Sequence, residues 1–334
     1  MSALGGQGLS RARPPMDLAS LDSRALILQV QAIERSTSKG YATGARDYLR
    51  FCISHSLPIN PTPTTLARYI AYTSRFITSG PRYLSGARHF LSILYPDFDA
   101  NRAHPLVQAT IPGSQKVRAD AIQQKLPLRL DHLALFCRAA RIVGHYDDLL
   151  FVTILSCGFY ACHRMGELVQ NNDRTLFDCW KVIKRASLSF SHRRAQYHLP
   201  YHKADPFYQG TAILLGSHDV ACPVQLLLDY VSRRDAVHHG RSPLFLTEQG
   251  LHPTRRWFDR KFFAFLDRSF GGHSLRAGGA TYYASLGLSE DIIQVLGRWS
   301  SQAWKMYIHD NPTVRAELQL AALRQVSGTT PTPQ

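Results

Sequence analysis

Residues Gly272-His273-Ser274-Leu275-Arg276-Ala277-Gly278-Gly279-Ala280-Thr281 read as the opening of a helix. His273 and Arg276 stand three apart at its start, so both side chains lie on one face. A helix start also attracts phosphate, because its first amide N–H groups lack partners. A His and an Arg presented together there form a candidate phosphodiester clamp. Taken alone, the same pair is equally a surface His and an ion-paired Arg.

Outward from this stretch, Leu288 to Gly297 reads as a second helix. Ser289 is its N-cap, Glu290 and Asp291 suit its first turn, and Gly297 is its stop. Ile292, Val295 and Leu296 are its expected buried face. Arg298-Trp299-Ser300-Ser301 follows, then Trp304-Lys305-Met306-Tyr307-Ile308. By themselves Trp299 and Tyr307 are ordinary aromatic core. Upstream, Ala161-Cys162-His163-Arg164-Met165-Gly166-Glu167-Leu168 places an Arg after an apolar helix. Glu167, three residues on, can orient Arg164. A structural Arg–Glu pair has the same appearance.

The bulk properties suit two globular domains in 334 residues, 45% hydrophobic and 19% charged. The net charge of +15 points to a polyanion, with nucleic acid ahead of an anionic membrane surface. A basic surface kept for solubility is the plainer account. Six cysteines without any C-x-x-C pair argue against a zinc-finger site and for buried, reduced thiols of an intracellular protein. No apolar run is long enough for a membrane span. The first residues, rich in Gly, Ser, Arg and Pro, lack the apolar stretch of a signal peptide.

The expected order is a disordered basic arm (1–19, with Arg11 and Arg13), a helical bundle (20–110), a linker (111–128), a second domain (129–326) and a tail (327–334). In the bundle, Tyr41, Ala45, Tyr48 and Cys52 share one helix face, as do Leu66, Ile70 and Thr73, and Leu84, Ala87, Leu91 and Leu94. The segment from Leu21 to Ile33 supplies the fourth helix. The linker starts at the breakers Pro112-Gly113 and carries Lys116, Arg118 and Lys125. In the second domain Leu149 to Tyr160 is a continuously apolar, buried helix. Ala186–Phe190, Gln196–Leu199 and Thr211–Leu215 alternate as short strands. The class is therefore mainly α with a small β-sheet, α+β.

Taken together, these elements resemble the tyrosine recombinase, or phage integrase, family. Its pattern is an Arg in an R-x-G-E-L context, a Lys in a β-hairpin, H-x-x-R, a His or Trp, then a Tyr. Arg164-Met165-Gly166-Glu167-Leu168 matches the first part, and His273 with Arg276 the H-x-x-R. Trp299 takes the His/Trp position 23 residues past Arg276, and Tyr307 follows eight residues later. The resemblance implies that residues 20–110 are the core-binding domain and 129–326 the catalytic domain. It assigns the hairpin Lys to Lys203, between the second and third strands. The long turn Ala204–Gly210 departs from the pattern, and His202 beside the Lys is expected as a solvated loop His. The stretches GRWSS (Gly297–Ser301) and LPYHKADPF (Leu199–Phe207) look most like recombinases of eukaryotic, often fungal, transposable elements such as Crypton-type elements. That implies a nuclear location if the host is eukaryotic.

The residue types fit the implied reaction. Displacement at a phosphodiester builds charge on the non-bridging oxygens, and Arg164 and Arg276 can hold them. Tyr307 is the nucleophile, a phenol that needs activation. His273 manages its proton, Lys203 protonates the leaving 5′-oxygen, and Trp299 packs the tyrosine-bearing helix. No cofactor and no metal are implied. Double-stranded DNA is the implied partner, with Lys181, Lys184, Arg193, Arg194, Arg255 and Arg256 as phosphate contacts. A helix from Asn311 with an apolar stripe of Val314, Leu318 and Ala321 suits self-assembly, as a tetramer on paired sites. The rivals are a type IB topoisomerase, a domesticated DNA-binding regulator without activity, and a basic helical scaffold.

Overall fold

A computed structural model describes residues 14–117, 125–205, 207–302 and Lys305, the side chain of Val30 excepted. Tyr307, Trp304, Arg11, Arg13, Arg118, the stripe Val314, Leu318 and Ala321, and the 327–334 tail lie outside the described residues. Within them the chain is mostly helical with one three-stranded antiparallel sheet, the α+β class expected. It divides into two compact units, Met1–Ile122 and Gln123–Gln334.

In the first unit, α1 (Leu18–Gln31) precedes α2 (Arg35–Ser54), α3 (Pro63–Thr73), α4 (Gly80–Leu91), α5 (Phe98–Ala103) and α6 (Pro105–Val117). The periodic faces do form the core: Tyr48, Cys52, Leu66, Ile70, Leu84, Ala87 and Leu91 are buried together. Leu94 lies past the end of α4 and is exposed. Helices α2 and α4 approach closely through two glycines. A Cβ on Gly44 would lie 2.6 Å from the Tyr83 carbonyl oxygen, and one on Gly86 2.3 Å from that of Tyr41.

Two expectations for this unit need correction. The segment expected as the fourth bundle helix forms α1, but Leu18, Leu21, Leu26, Ile27 and Leu28 are all exposed. The place in the core belongs instead to α6, through Val107 and Ile111. The linker expected over 111–128 is also not one segment. Residues 111–117 continue α6 across Pro112, because packing against α3 outweighs the local breaker. At the other end Leu126 and Leu128 donate backbone hydrogen bonds to Ser269 and Ser274, and Leu128 is fully buried.

The second unit runs α7 (Leu130–Val143), α8 (Tyr146–Tyr160), α9 (Met165–Leu168), β1 (Ser189–Ser191), β2 (Arg194–Leu199), β3 (Thr211–Gly216), α10 (Pro223–Val237), α11 (Arg255–Phe262), α12 (Ser274–Ser285) and α13 (Glu290–Gly297). Helix α8 is apolar all round and so packs against α7, α10 and α12. Asp147 and Asp148 sit in its first turn, where carboxylates are favoured. The close crossing of α12 over α8 depends on Gly279, whose Cβ would lie 2.1 Å from the Phe159 carbonyl oxygen. This contact fixes the height of Arg276, one turn earlier on α12.

In the sheet, Ala195, Tyr197 and Leu199 of β2 point inward and alternate with exposed neighbours. They pair with Leu215, Ile213 and Thr211 of β3. The first strand is shorter than expected: 185–187 form a single 3-10 turn and only Ser189–Ser191 pair. Four cysteines are buried as expected, but Cys179 is exposed and Cys222 partly so.

Helix α13 turns a different face inward from the one expected. Ile293 and Gly297 are buried, while Ile292 and Val295 are exposed. Its stop is also shifted by one residue. Gly297 is still helical, and Arg298 takes the left-handed conformation with φ 55°. The Trp299 ring explains the exchange, since a Cβ on Gly297 would fall 1.5 Å from Trp299 Cζ3.

Candidate active site

The turn after α8 brings the first Arg into place. Cys162 adopts φ 48° and reverses the chain, so that Arg164 becomes the residue before α9. Glu167 reaches back from α9 to accept from the Arg164 amide at 3.2 Å and from its Nη1 at 3.2 Å. The Arg164 side chain remains partly exposed, with its guanidinium available to a ligand.

Glu167 is the centre of a buried network. His163 Nδ1 lies 2.7 Å from Glu167 Oε2, and His163 Nε2 lies 2.6 Å from the Tyr197 hydroxyl. A carboxylate only accepts, so Nδ1 carries the hydrogen. Nε2 then accepts from Tyr197 O–H, and the 3.3 Å approach of Arg298 Nη2 to Nδ1 is not a hydrogen bond. Arg298 instead donates to Glu167 Oε2 at 3.0 Å. Burial alone would raise the Glu167 pKa, but the His163 bond and the Arg298 and Arg164 charges hold it well below the usual carboxylate range.

Burial, assisted by the Arg298 charge, pushes the His163 pKa down to about 4. The unfolded chain therefore takes up a proton near the ordinary 6.5 that the folded chain refuses until about 4. This contribution to stability is complete above about pH 6.5 and is lost as the pH falls, at up to about 1.4 kcal/mol per unit. Glu167 adds loss of the same sign at lower pH. The melting midpoint should fall across pH 6.5 to 4, and His163→Gln should flatten that slope. An unchanged slope in the variant would exclude His163 as its source.

Arg276 is almost completely buried at the start of α12. Its Nη1 donates to the Cys162 carbonyl at 2.7 Å and its Nη2 to the Gly297 carbonyl. Its Cζ stacks 3.9 Å from the centroid of the Trp299 ring. Burial, followed by the Arg164 charge, lowers its pKa to about 10, still charged at neutral pH. Trp299 is thus the floor under Arg276, packed with Cys162, Ala280 and Ile293.

His273 stands exposed just before α12. Partial desolvation at the helix end lowers its pKa, and the charges of Arg276, Arg164, Arg255 and Lys203 lower it further. It is therefore neutral at pH 7, the form a proton acceptor needs. The same electrostatics put Lys203 within range of His273. Lys203 is exposed on the loop between β2 and β3. Asp205 holds that loop, accepting from the Gly210 amide at 2.7 Å and the Gln209 amide at 3.2 Å.

His202 is not the solvated residue expected. It is buried, with Nε2 3.1 Å from Thr211 Oγ1. Its neighbours explain this, since Arg298, Glu167 and Arg164 all act on its ring.

The residues expected to touch DNA divide into two groups. Arg255 joins the site: it packs over Gly272, is ion-paired to Asp259 at 2.7 Å and acts on His273. Lys181 lies 4.2 Å from the Tyr201 ring centroid and 5.5 Å from that of Tyr208, at the two ends of the Lys203 loop. Lys184 and Arg256 are exposed. Arg193 and Arg194 sit at the β1–β2 turn, the opposite end of β2 from that loop. At strand spacing that is about 17 Å away.

As a fold, the chain is similar to XerH site-specific recombinase in a post-cleavage complex with palindromic difH. The TM-score is 0.52 at 15% identity, over 79% of this chain and 72% of that one. It is similar to the Tn1549 transposon integrase with transposon right-end DNA, at 0.52 and 13%, over 78% and 85%. A lambda integrase fragment on a COC′ core site gives 0.50 and 16%, over 89% and 97%. This is the tyrosine-recombinase fold. No family model matches the chain, and no curated protein matches it in sequence.

On the tyrosine-recombinase fold, Arg164, Glu167, Lys203, His273, Arg276 and Trp299 come together from four separate stretches of chain. Sequence reasoning missed Arg298 and His163, which complete the buried network. The sequence offers one signal for Arg298, an Arg between a helix-terminating Gly and a Trp.

Proposed function

We propose that the chain is a site-specific DNA recombinase or integrase that cuts and rejoins strands through a 3′-phosphotyrosine at Tyr307, without metal or ATP. The observation that carries this is the buried frame that sets Arg276 against the α8–α9 turn holding Arg164, with the exposed His273 one turn before it at the start of α12. Such a centre offers fixed cations for a phosphate and a base beside them. The solved proteins of like fold named above were captured with DNA or a DNA substrate, which supports double-stranded DNA as the partner.

In this reading the Tyr307 oxygen attacks phosphorus and its proton passes to His273. The bond to the 5′-oxygen breaks, and that oxygen takes a proton from Lys203. Arg164 and Arg276 hold the non-bridging oxygens throughout. One phosphodiester replaces another, so a second 5′-hydroxyl can reverse the step without an energy source. Assembly as a tetramer on paired sites, with the helix from Asn311 joining protomers, belongs to the same proposal. So does an origin in a eukaryotic mobile element with nuclear location, which rests on the GRWSS and LPYHKADPF stretches alone.

The test is strand nicking on DNA carrying the recognition site, selected by binding from a random library. Cleavage should proceed in EDTA at its rate without chelator, because side-chain cations neutralise the phosphate. Cleavage lost on chelation and restored by Mg²⁺ would overturn the mechanism. Tight binding with no nicking would favour the DNA-binding regulator.

A further inference from the structure

Arg298 is a charged side chain of this centre with no counterpart in the motif pattern, and its placement is costly. It holds a left-handed backbone, a conformation that disfavours any residue with a Cβ. Only 8% of its side chain is exposed. Such a residue persists when its surroundings over-determine it, and here they do. Nη1 donates to the carbonyls of Ala161 and Leu296, each at 3.2 Å, and Nη2 donates to Glu167 at 3.0 Å. One guanidinium therefore ties the end of α8, the end of α13 and the carboxylate of α9.

Each of these ties leads to a clamp residue. Glu167 binds Arg164 through both its amide and its guanidinium. The Ala161 carbonyl directly precedes Cys162, whose carbonyl receives Arg276. On either side of Arg298 in the chain stand Gly297, whose carbonyl also receives Arg276, and Trp299, on which Arg276 stacks.

We propose that Arg298 is the positioning residue of this centre, fixing Arg164 through Glu167 and Arg276 through the Gly297–Trp299 backbone. The inference rests on reading the centre as a DNA strand-transfer site. The bonds of Arg298 run to Glu167 and to the Ala161 and Leu296 carbonyls, so it sets the angle at which two other guanidiniums meet the phosphate.

Single-turnover cleavage of a nicked suicide substrate separates positioning from support. The amplitude reports the fraction of competent protein, and the rate constant reports the geometry within that fraction. Arg298→Met, assayed well below its melting point, should bind DNA within about twofold of wild type. Its cleavage rate constant should fall on the order of 100-fold, comparable to losing one transition-state donor. An amplitude loss at the wild-type rate constant would make Arg298 a merely structural residue and overturn the proposal. So would an unchanged rate. If Arg298→Met does not fold, Arg298→Lys carries the test. It keeps a charge beside Glu167, but one ammonium cannot span the Ala161 and Leu296 carbonyls as well. It should fold and show a slowed rate constant; a wild-type rate would refute the inference. Wild-type protein that never cleaves would instead refute the strand-transfer reading itself.

Discussion

Tyr307→Phe should bind DNA with nearly unchanged affinity and form no covalent protein–DNA adduct. The chain has 15 tyrosines, so the choice needs an argument. The structure disposes of the nearest alternatives. Tyr283 donates to the Tyr160 carbonyl at 2.7 Å, and burial drives its phenol pKa up. Tyr197 is fully buried and bonded to His163, with its pKa also far above the ordinary value. Tyr282 lies on the α12 face that packs against Phe159, Tyr160 and His218. A nucleophile needs the opposite treatment: access, and positive charge that lowers the phenol's pKa. Tyr307 follows Trp299 by eight residues, short enough for the chain to return over Arg276. A suicide substrate should trap wild-type protein through the DNA 3′-phosphate. Peptide mapping should place the nucleotide on the peptide containing Met306-Tyr307-Ile308. An adduct that survives in Tyr307→Phe, or one mapped to Tyr282 or Tyr283, would refute the assignment.

Lys203→Ala should slow cleavage of ordinary DNA by about 10²- to 10⁴-fold, the usual worth of a general acid. An alkoxide is a poor leaving group until protonated, and Lys203 is the exposed ammonium that the β2–β3 loop brings toward His273. Replacing the 5′-bridging oxygen with sulfur should restore most of the rate, because a thiolate leaves without a proton. Lys184 provides the control. It precedes β1 in the chain and is not among the leading charges acting on His273. A Lys203→Ala protein that cleaves ordinary DNA at the wild-type rate would remove Lys203 from the mechanism. A defect of equal size on the sulfur substrate would leave it only a DNA contact.

Much of the fold was legible because the governing forces are local or periodic. The helix faces around Tyr48, Leu66 and Leu84 bury where their spacing places them, and the apolar run ending at Tyr160 is the central helix. The strands showed through the alternation of Ala195, Tyr197 and Leu199. The errors arose where a distant partner decides. Pro112 reads as a breaker until α3 offers α6 a surface. Ile292 and Val295 read as core, but the Trp299 ring fixes α13 on Ile293 and Gly297. In the site, the motif spacing picked out Arg164, Lys203, His273 and Arg276, whose charges act on one another. It could not find Arg298, because a buried guanidinium reads as surface charge until its acceptors are known. Two of those, Ala161 and Glu167, lie more than 130 residues earlier. His202 was misread for the same reason.

Because Arg276 is held by main-chain carbonyls, the site is sensitive to chain length as well as to side-chain chemistry. One residue inserted or deleted between Gly297 and Trp299 would turn the carbonyl and the indole away from Arg276 together. No substitution elsewhere would restore both. The α12–α13 connection before it is different. Leu286 is exposed there and Gly287 turns at φ 80°, with no bond from either to the clamp. An epitope tag or a fluorophore-labelling loop would therefore be accommodated at Leu286–Gly287, and rejected ten residues later.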